Sequence, residues 1–291
     1  MNILINNNYD CHYEIVESVF NKLNFIIKTD VTECNIYIYV KKYMNKINHN
    51  SFIEYIQEKY PKIQFLFSPF EIVKIPFQYT VTCSLYPEHM NTINKNSKYH
   101  FYICHDVTHE SVLYDNVYHL TPLCGTDRYF YCDILPYAEI KKTYSLPIYI
   151  VQGDFKRRSL KLLLSILQRR YKHNFIIKIL NNNELPNKLK RYSTRVAHFK
   201  GLSFIDYHAH LIGAYCILPL SQKEEHPDYY TTKLTSSINY ALGYNMKIVI
   251  DKDLQDIYNM NADDSYVFNS YNDVADAFEK SLDDFYACKK Q

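Results

Sequence analysis

The sequence predicts an α/β protein made of two doubly wound, Rossmann-like domains of similar size. Three observations carry this. The chain has 291 residues, which at about 150 residues per domain suggests two. Strand and helix signals alternate through both halves, the pattern of a parallel sheet with helices on both faces. The stretch 136–147, with Pro136, Glu139, Lys141, Lys142 and Pro147, reads as a linker. The expected division is 1–145 and 146–291, with the two domains facing each other across a cleft.

In the first half, Asn2 to Asn6 is apolar and short enough for a strand. Tyr13 to Leu23 places Ile15, Val16, Val19, Phe20 and Leu23 at helical spacing. Asn35 to Val40 reads as a strand, and Ser51 to Tyr60 as a helix capped by Ser51. Gln64 to Phe67, Thr80 to Leu85 and His100 to Cys104 follow as strands, with hairpin-like pieces expected over 64–86. A short strand after Asn116 ends at Pro122.

The second half starts afresh. Pro147 to Val151 is a strand, and Arg158 to Tyr171 a helix with Leu160, Leu163, Leu164 and Leu167 on one face. Strands are expected at Phe175 to Leu180, Val196 to Phe199, Tyr215 to Leu218, Lys247 to Ile250 and Tyr266 to Phe268. Helices are expected at Tyr207 to Ile212, Thr232 to Leu242, Lys252 to Tyr258 and Tyr271 to Phe285. Ligands of such sheets sit at the carboxyl ends of the strands.

Composition removes several function classes. Hydrophobic residues are 47% and the net charge is +2, which argues against a basic nucleic-acid coat and against an acidic disordered chain. No apolar run approaches the roughly 20 residues that span a bilayer. Met1-Asn2-Ile3-Leu4-Ile5 has no basic region before it and makes a poor signal peptide. The eight Cys form no CxxC pair, and several sit in strands, so reduced thiols and a cytoplasmic protein are expected. Cys104 with His105 and His109, and His208 with His210, are the nearest approaches to a ligand set. Neither has matched spacing, and no metal is expected. The 30 Tyr, with no Trp, fit an AT-rich coding bias that puts Tyr in core positions.

Glycine and charge point to one place. The five Gly are Gly125, Gly153, Gly201, Gly213 and Gly243, so the first 124 residues hold no glycine-rich phosphate loop. The strand ending Ile150-Val151 runs into Gln152-Gly153-Asp154-Phe155-Lys156-Arg157-Arg158-Ser159. Cations at a helix start oppose its dipole, so Lys156, Arg157 and Arg158 call for an anion, and a diphosphate is the natural one. Lys233, followed by Thr235, Ser236 and Ser237, reads as a second cationic helix start, capped by Thr231 or Thr232. Residues 156–200 carry thirteen Lys or Arg against one acid, Glu184; most of these are expected to form a solvated surface.

Ile150-Val151-Gln152-Gly153 with Arg157-Arg158, His198-Phe199-Lys200-Gly201, Ala214 to Pro219, and Tyr230 to Leu234 running to Gly243 and Ile248-Val249-Ile250 resemble, in order and spacing, the donor domain of GT-B glycosyltransferases of the group 1, family 4-like type. The resemblance covers about residues 147 to 285. Ile103-Cys104-His105-Asp106 and Leu120-Thr121-Pro122 carry a fainter likeness in the first half. The resemblance implies a metal-independent hexosyltransferase without a cofactor. Its donor would be a UDP- or GDP-sugar and its acceptor a glycan or a glycoprotein. Gly153 with Arg157 or Arg158 would hold the diphosphate, aided by Lys156 and Lys233. Thr235, Ser236 and Ser237 would face ribose or phosphate, and His105 the transferred sugar. The family's two Glu separated by seven residues are not present in that form. Glu224 or Glu225 stands for the first, while Thr232 and Lys233 lie eight residues on and Ser236 or a neighbour takes the place of the second. That departure leaves two alternatives: a GT-B-fold binding protein without chemistry, and a nucleotide-sugar epimerase of similar fold.

Overall fold

The structure is a computed structural model that describes residues 1–7, 12–30, 34–41, 47–85, 97–104, 106–108, 111–129 and 145–289. His105, His109 and residues 136–144 of the linker stretch lie outside them. The elements are β1 (Asn2–Asn7), α1 (Tyr13–Asp30), β2 (Asn35–Val40), α2 (Ile47–Lys59), β3 (Gln64–Leu66), α3 (Pro69–Ile72), β4 (Phe77–Leu85), β5 (Ser97–Cys104) and β6 (Val117–His119). They continue with β7 (Ile148–Gln152), α4 (Leu160–Gln168), β8 (Ile176–Leu180), α5 (Asn187–Lys190), β9 (Val196–Phe199), α6 (Phe204–Ile212), β10 (Cys216–Ile217) and α7 (Asp228–Thr231). The last are α8 (Ser236–Gly243), β11 (Lys247–Asp251), α9 (Lys252–Ile257), β12 (Ser265–Phe268) and α10 (Val274–Cys288).

The chain forms two compact units. One comprises Met1–Leu135, Ser203–Ile205 and Thr232–Leu234, and the other Pro136–Leu202, Asp206–Thr231 and Thr235–Gln291. Each holds one six-stranded parallel sheet, ordered β3-β2-β1-β4-β5-β6 in the first and β12-β11-β10-β7-β8-β9 in the second. Both are the doubly wound Rossmann-like order, with the strand order reversing beside the first strand of each sheet. This is the GT-B type of α/β architecture.

In the first unit α1 packs on β1 and β4, and Leu4, Tyr37, Tyr39, Leu66, Ile72 and Phe77 form a buried cluster that joins β1 to β4 through β2, β3 and α3. Tyr13, Ile15, Val16 and Phe20 of α1 are buried with Phe52, Tyr55 and Ile56 of α2, as helical spacing requires. The hairpin-like pieces expected over 64–86 are absent: β3 pairs β2 and β4 pairs β1, each in parallel. A short capped helix, α3, occupies the place where a tight turn would have to be. Ser68 accepts from Phe70 N–H at 3.2 Å, Glu71 accepts from Ser68 N–H at 2.8 Å, and Pro69 stands at the first helical position. Ser51 lies inside α2 rather than capping it; its hydroxyl accepts from Phe204 N–H at 2.6 Å.

In the second unit, α4 and α10 cover one face of the sheet. The buried face of α4 is Leu162, Leu163, Ile166 and Leu167, shifted from the expected Leu stripe, while Leu160 and Leu164 are only partly buried. Tyr149, fully buried, packs on Phe278 at 4.3 Å and hydrogen-bonds Ser281 at 2.9 Å. A Tyr can replace Phe here because its hydroxyl finds a partner.

Candidate functional site

β7 lies between β10 and β8, and the chain winds outward from it in both directions. The crevice at the carboxyl ends of β7 and β10 is the position where open α/β sheets take ligands. Four apolar residues carry β7 into the core, and the polar Gln152 ends it at 3% exposure. Gly153 follows with φ of +86°, a left-handed conformation that a side chain would strain, and donates its N–H to Leu180 O at 3.0 Å. Asp154 closes the loop, accepting from Arg157 N–H at 2.8 Å through its carbonyl and from Lys156 N–H at 3.0 Å through its carboxylate.

The three cations of this loop have different fates. Lys156 and Arg157 are exposed, whereas Arg158 is 4% exposed. None of them lies in the first turn of the helix, as the sequence suggested. Ser159 is the N-cap, accepting from Leu162 N–H at 3.3 Å, and its own N–H donates to Leu220 O at 2.7 Å. The cap needs a short side-chain oxygen, which only Ser159 supplies, so the basic residues fall just before it. Arg158 folds back over the loop. It donates from Nε to Gln152 O at 2.9 Å, and from one terminal nitrogen to Arg157 O at 2.7 Å and to the Tyr229 hydroxyl at 3.3 Å. A Cβ on Gly153 would sit 3.7 Å from this guanidinium. Among the described residues no carboxylate pairs with Arg158.

Gln152 extends this chain of contacts to the head of α8, donating from Nε2 to Ser236 Oγ at 2.7 Å. The helix starts at Ser236, not near Thr232. Thr235 is its N-cap, and its hydroxyl caps nothing. The hydroxyls of Thr235 and Ser237 and the free amide oxygen of Gln152 are buried without a hydrogen-bond partner among the described residues. Buried polar atoms are rarely left unmatched unless a ligand or water completes them. The loop after β7 and the head of α8 thus bring together a buried cation without an acid among the described residues and the amino-terminal end of a helix, joined through Gln152.

Lys233 does not belong to the first turn of α8. It lies between α7 and α8 in a bridge to Asp106, with its ammonium 3.5 Å from the Asp106 carboxylate and Val107 N–H donating to Thr232 O at 2.9 Å. Glu224 and Glu225 are exposed on the loop after β10 and line a cavity of about 480 Å³ with Lys161, Lys223, Asp251 and Lys252. Gln152, Arg158 and Ser236 do not line that cavity. Burial, and then the neighbouring Asp253, raise the Asp251 carboxyl above its ordinary range, while Asp251 also caps α9 by accepting from Asp253 N–H at 3.1 Å. Burial lowers His226, and Arg158 adds to that against the opposing pull of Glu225. The two His of the expected α6 cluster point to different partners, as residues two apart on a helix do. His208 meets the Tyr244 hydroxyl, while His210 meets Lys178 at 3.4 Å and the Phe199 ring at 4.1 Å. Among the described residues no group of acidic, His or Cys side chains is gathered for a metal, and no helix is long and apolar enough to cross a membrane.

Sequence reasoning missed Gln152 and Tyr229 as members of this group. The signal for Gln152 was present, a lone amide ending an apolar strand just before glycine. Tyr229 carried none, because its contact spans 71 residues of chain.

No family model matches the chain, and no curated protein matches it in sequence. Solved structures do match in fold. An α-glucosyltransferase in complex with UDP and a 13-mer DNA superposes with a TM-score of 0.64 at 8% identity, over 100% of this chain and 91% of that one. A glycosyltransferase from Rickettsia africae gives 0.60 at 11% identity, over 98% and 88%. A Methanocaldococcus jannaschii UDP-GlcNAc 2-epimerase in complex with UDP-GlcNAc and UDP gives 0.53 at 9% identity, over 97% and 93%. At these identities the likeness is one of fold.

Proposed function

We propose that this chain binds a nucleoside diphosphate sugar, with UDP or GDP as the nucleotide, at the carboxyl ends of β7 and β10, and transfers its hexose to a glycan or protein-linked acceptor. The observation that carries the reading is Arg158. It is a buried guanidinium without a carboxylate among the described residues, tied through Gln152 to Ser236 at the head of α8. Proteins of this fold that were solved with UDP support the choice of ligand.

The chemistry follows from charge. Breaking the sugar–phosphate bond leaves negative charge on the departing diphosphate. A fixed guanidinium and the positive end of a helix offset that charge without reorganising, and no metal is then required. Gly153 lets the backbone approach the phosphates, the hydroxyls of Thr235, Ser236 and Ser237 bond phosphate or ribose, and the exposed Lys156 and Arg157 attract the anion from solution. In this reading His105 lies near the transferred sugar. Glu224 and Glu225 make no contact with the diphosphate, and Lys233, held by Asp106, adds no charge to it. Calorimetry with UDP and GDP tests the binding step; absence of binding to either nucleotide would reject the reading.

The second reading, a protein that binds the sugar nucleotide without transferring it, is favoured by the missing Glu pair, since neither Thr232 nor Lys233, eight residues after Glu224 and Glu225, is an acid. Transfer or hydrolysis of a UDP-sugar that is lost in His105→Ala would eliminate it. Conversion of the donor to its epimer without acceptor, read by chromatography, separates an epimerase from a transferase.

A further inference from the structure

The sheet of the second unit has a second polar concavity at its other end. Tyr171 precedes β8 and Arg195 precedes β9, so this concavity lies at the amino ends of the strands, away from the crevice described above. Its volume is about 450 Å³, and Arg169, Arg170, Arg191 and Arg195 line it with Tyr171 and Tyr192. No acidic residue is among its lining residues. Arg169 is neutralised from outside, by Asp276 and, at 2.5 Å, by Glu279. Arg170, Arg191 and Arg195 have no ion pair among the described residues.

Two features distinguish this from a solvated basic surface. The turn that presents Arg191 and Arg195 is fixed: Arg195 N–H donates to Tyr192 O at 2.8 Å, Val196 N–H to the same oxygen at 2.9 Å, and Arg195 O accepts from Ile177 N–H at 2.8 Å. The Arg195 guanidinium lies over the Phe175 ring at 5.1 Å, which orients it. In addition, the Tyr171 hydroxyl is buried without a hydrogen-bond partner among the described residues. Burial raises its pKa, and Arg169, Glu279, Arg195 and Asp276 all lie close enough to act on its ionisation. Planar guanidinium forks match phosphate oxygens two at a time.

We propose that this arginine-lined concavity is a second anion site that takes a phosphate or diphosphate group, independent of the nucleotide crevice. The volume fits one such group with a small attached moiety, since ligand pockets begin at about 300 Å³. The group comes either from a soluble phosphate compound or from an anionic lipid headgroup.

The test uses the full chain and two variants, Arg170→Gln/Arg191→Gln and Arg158→Gln. Arg170 and Arg191 are exposed, so the double variant leaves the core intact. Inorganic pyrophosphate is titrated by calorimetry with saturating UDP present, and the proteins are floated with phosphatidylglycerol vesicles against phosphatidylcholine vesicles. The proposal expects pyrophosphate binding, or retention on the anionic vesicles, to weaken by about tenfold or more in Arg170→Gln/Arg191→Gln, the scale of losing charge-assisted bonds. It expects no change in Arg158→Gln once UDP is raised about 100-fold to saturate that variant as well. Retention on vesicles identifies a lipid headgroup as the source; pyrophosphate binding without retention identifies a soluble compound. Binding unchanged within about twofold in the double variant, or no binding in either arm, would overturn it.

Discussion

Replacing Arg158 by Met separates a structural guanidinium from one placed for a ligand. The side chain donates to Gln152 O at 2.9 Å, Arg157 O at 2.7 Å and the Tyr229 hydroxyl at 3.3 Å. Bonds involving a charged group contribute about 1.5–3 kcal/mol each, so the three together are worth several kcal/mol. Burying a cation without an opposite charge costs a similar several kcal/mol. The two effects offset, and Met fills much of the same volume. Arg158→Met should therefore shift unfolding stability by no more than about 2 kcal/mol in urea denaturation. Affinity for UDP or GDP should fall by about 100-fold, near 2.7 kcal/mol, because the diphosphate loses one or two charge-assisted bonds. Arg158→Lys, which keeps the charge but not the fork, should fall between, at about tenfold. A folded Arg158→Met variant that binds both nucleotides as tightly as the parent would refute the reasoning and leave Arg158 as an internal strut.

Other outcomes follow from the same contacts. Gly153→Ala forces a Cβ into a left-handed backbone with φ of +86° and sets it 3.7 Å from the Arg158 guanidinium; denaturation should report a loss of at least about 1 kcal/mol. Ser236→Ala removes the acceptor of Gln152 Nε2 at the head of α8, and UDP affinity should drop about fivefold to tenfold by calorimetry. Glu224→Gln and Glu225→Gln should leave UDP affinity within about twofold, because solvent screens these exposed groups and they line a different cavity. In the first unit, Glu17 is 1% exposed, and burial pushes its carboxyl from 4.5 to about 7 despite the hydrogen bond from Tyr55 at 3.0 Å. The folded state thus holds a proton that the unfolded chain releases near pH 4.5, so this group makes the fold progressively less stable between pH 4.5 and about 7. Glu17→Gln should stabilise the protein by up to about 3 kcal/mol at pH 8 and by little below pH 4.5, read from urea midpoints at the two pH values.

Much of the architecture was legible because it rests on local patterns. Apolar runs such as Ile3 to Ile5 and Ile148 to Val151 have no stable place except a buried strand, and their alternation with helical spacing implies parallel pairing. Gly153 was legible for the same local reason, one glycine between an apolar strand and a helix. The capping box at Ser68 and Glu71 was equally local, and reading it would have excluded the hairpin. The rest depended on contacts made across the chain. Nothing in Lys156-Arg157-Arg158 says which cation turns inward, since that is decided by the carbonyl of Gln152 and the distant hydroxyl of Tyr229. Lys233 looked like a first-turn cation because Thr and Ser surround it. It is bridged to Asp106 outside α8, which starts at Ser236, and an ion pair over 127 positions leaves no trace in spacing.

A crystal structure of the chain with UDP bound tests the central claim most directly. Diphosphate density is expected within hydrogen-bond distance of the Arg158 guanidinium and of the Thr235–Ser237 head of α8, with Gly153 beneath it. UDP held elsewhere on the chain, with Arg158 still bonded only to Gln152, Arg157 and Tyr229, would contradict it.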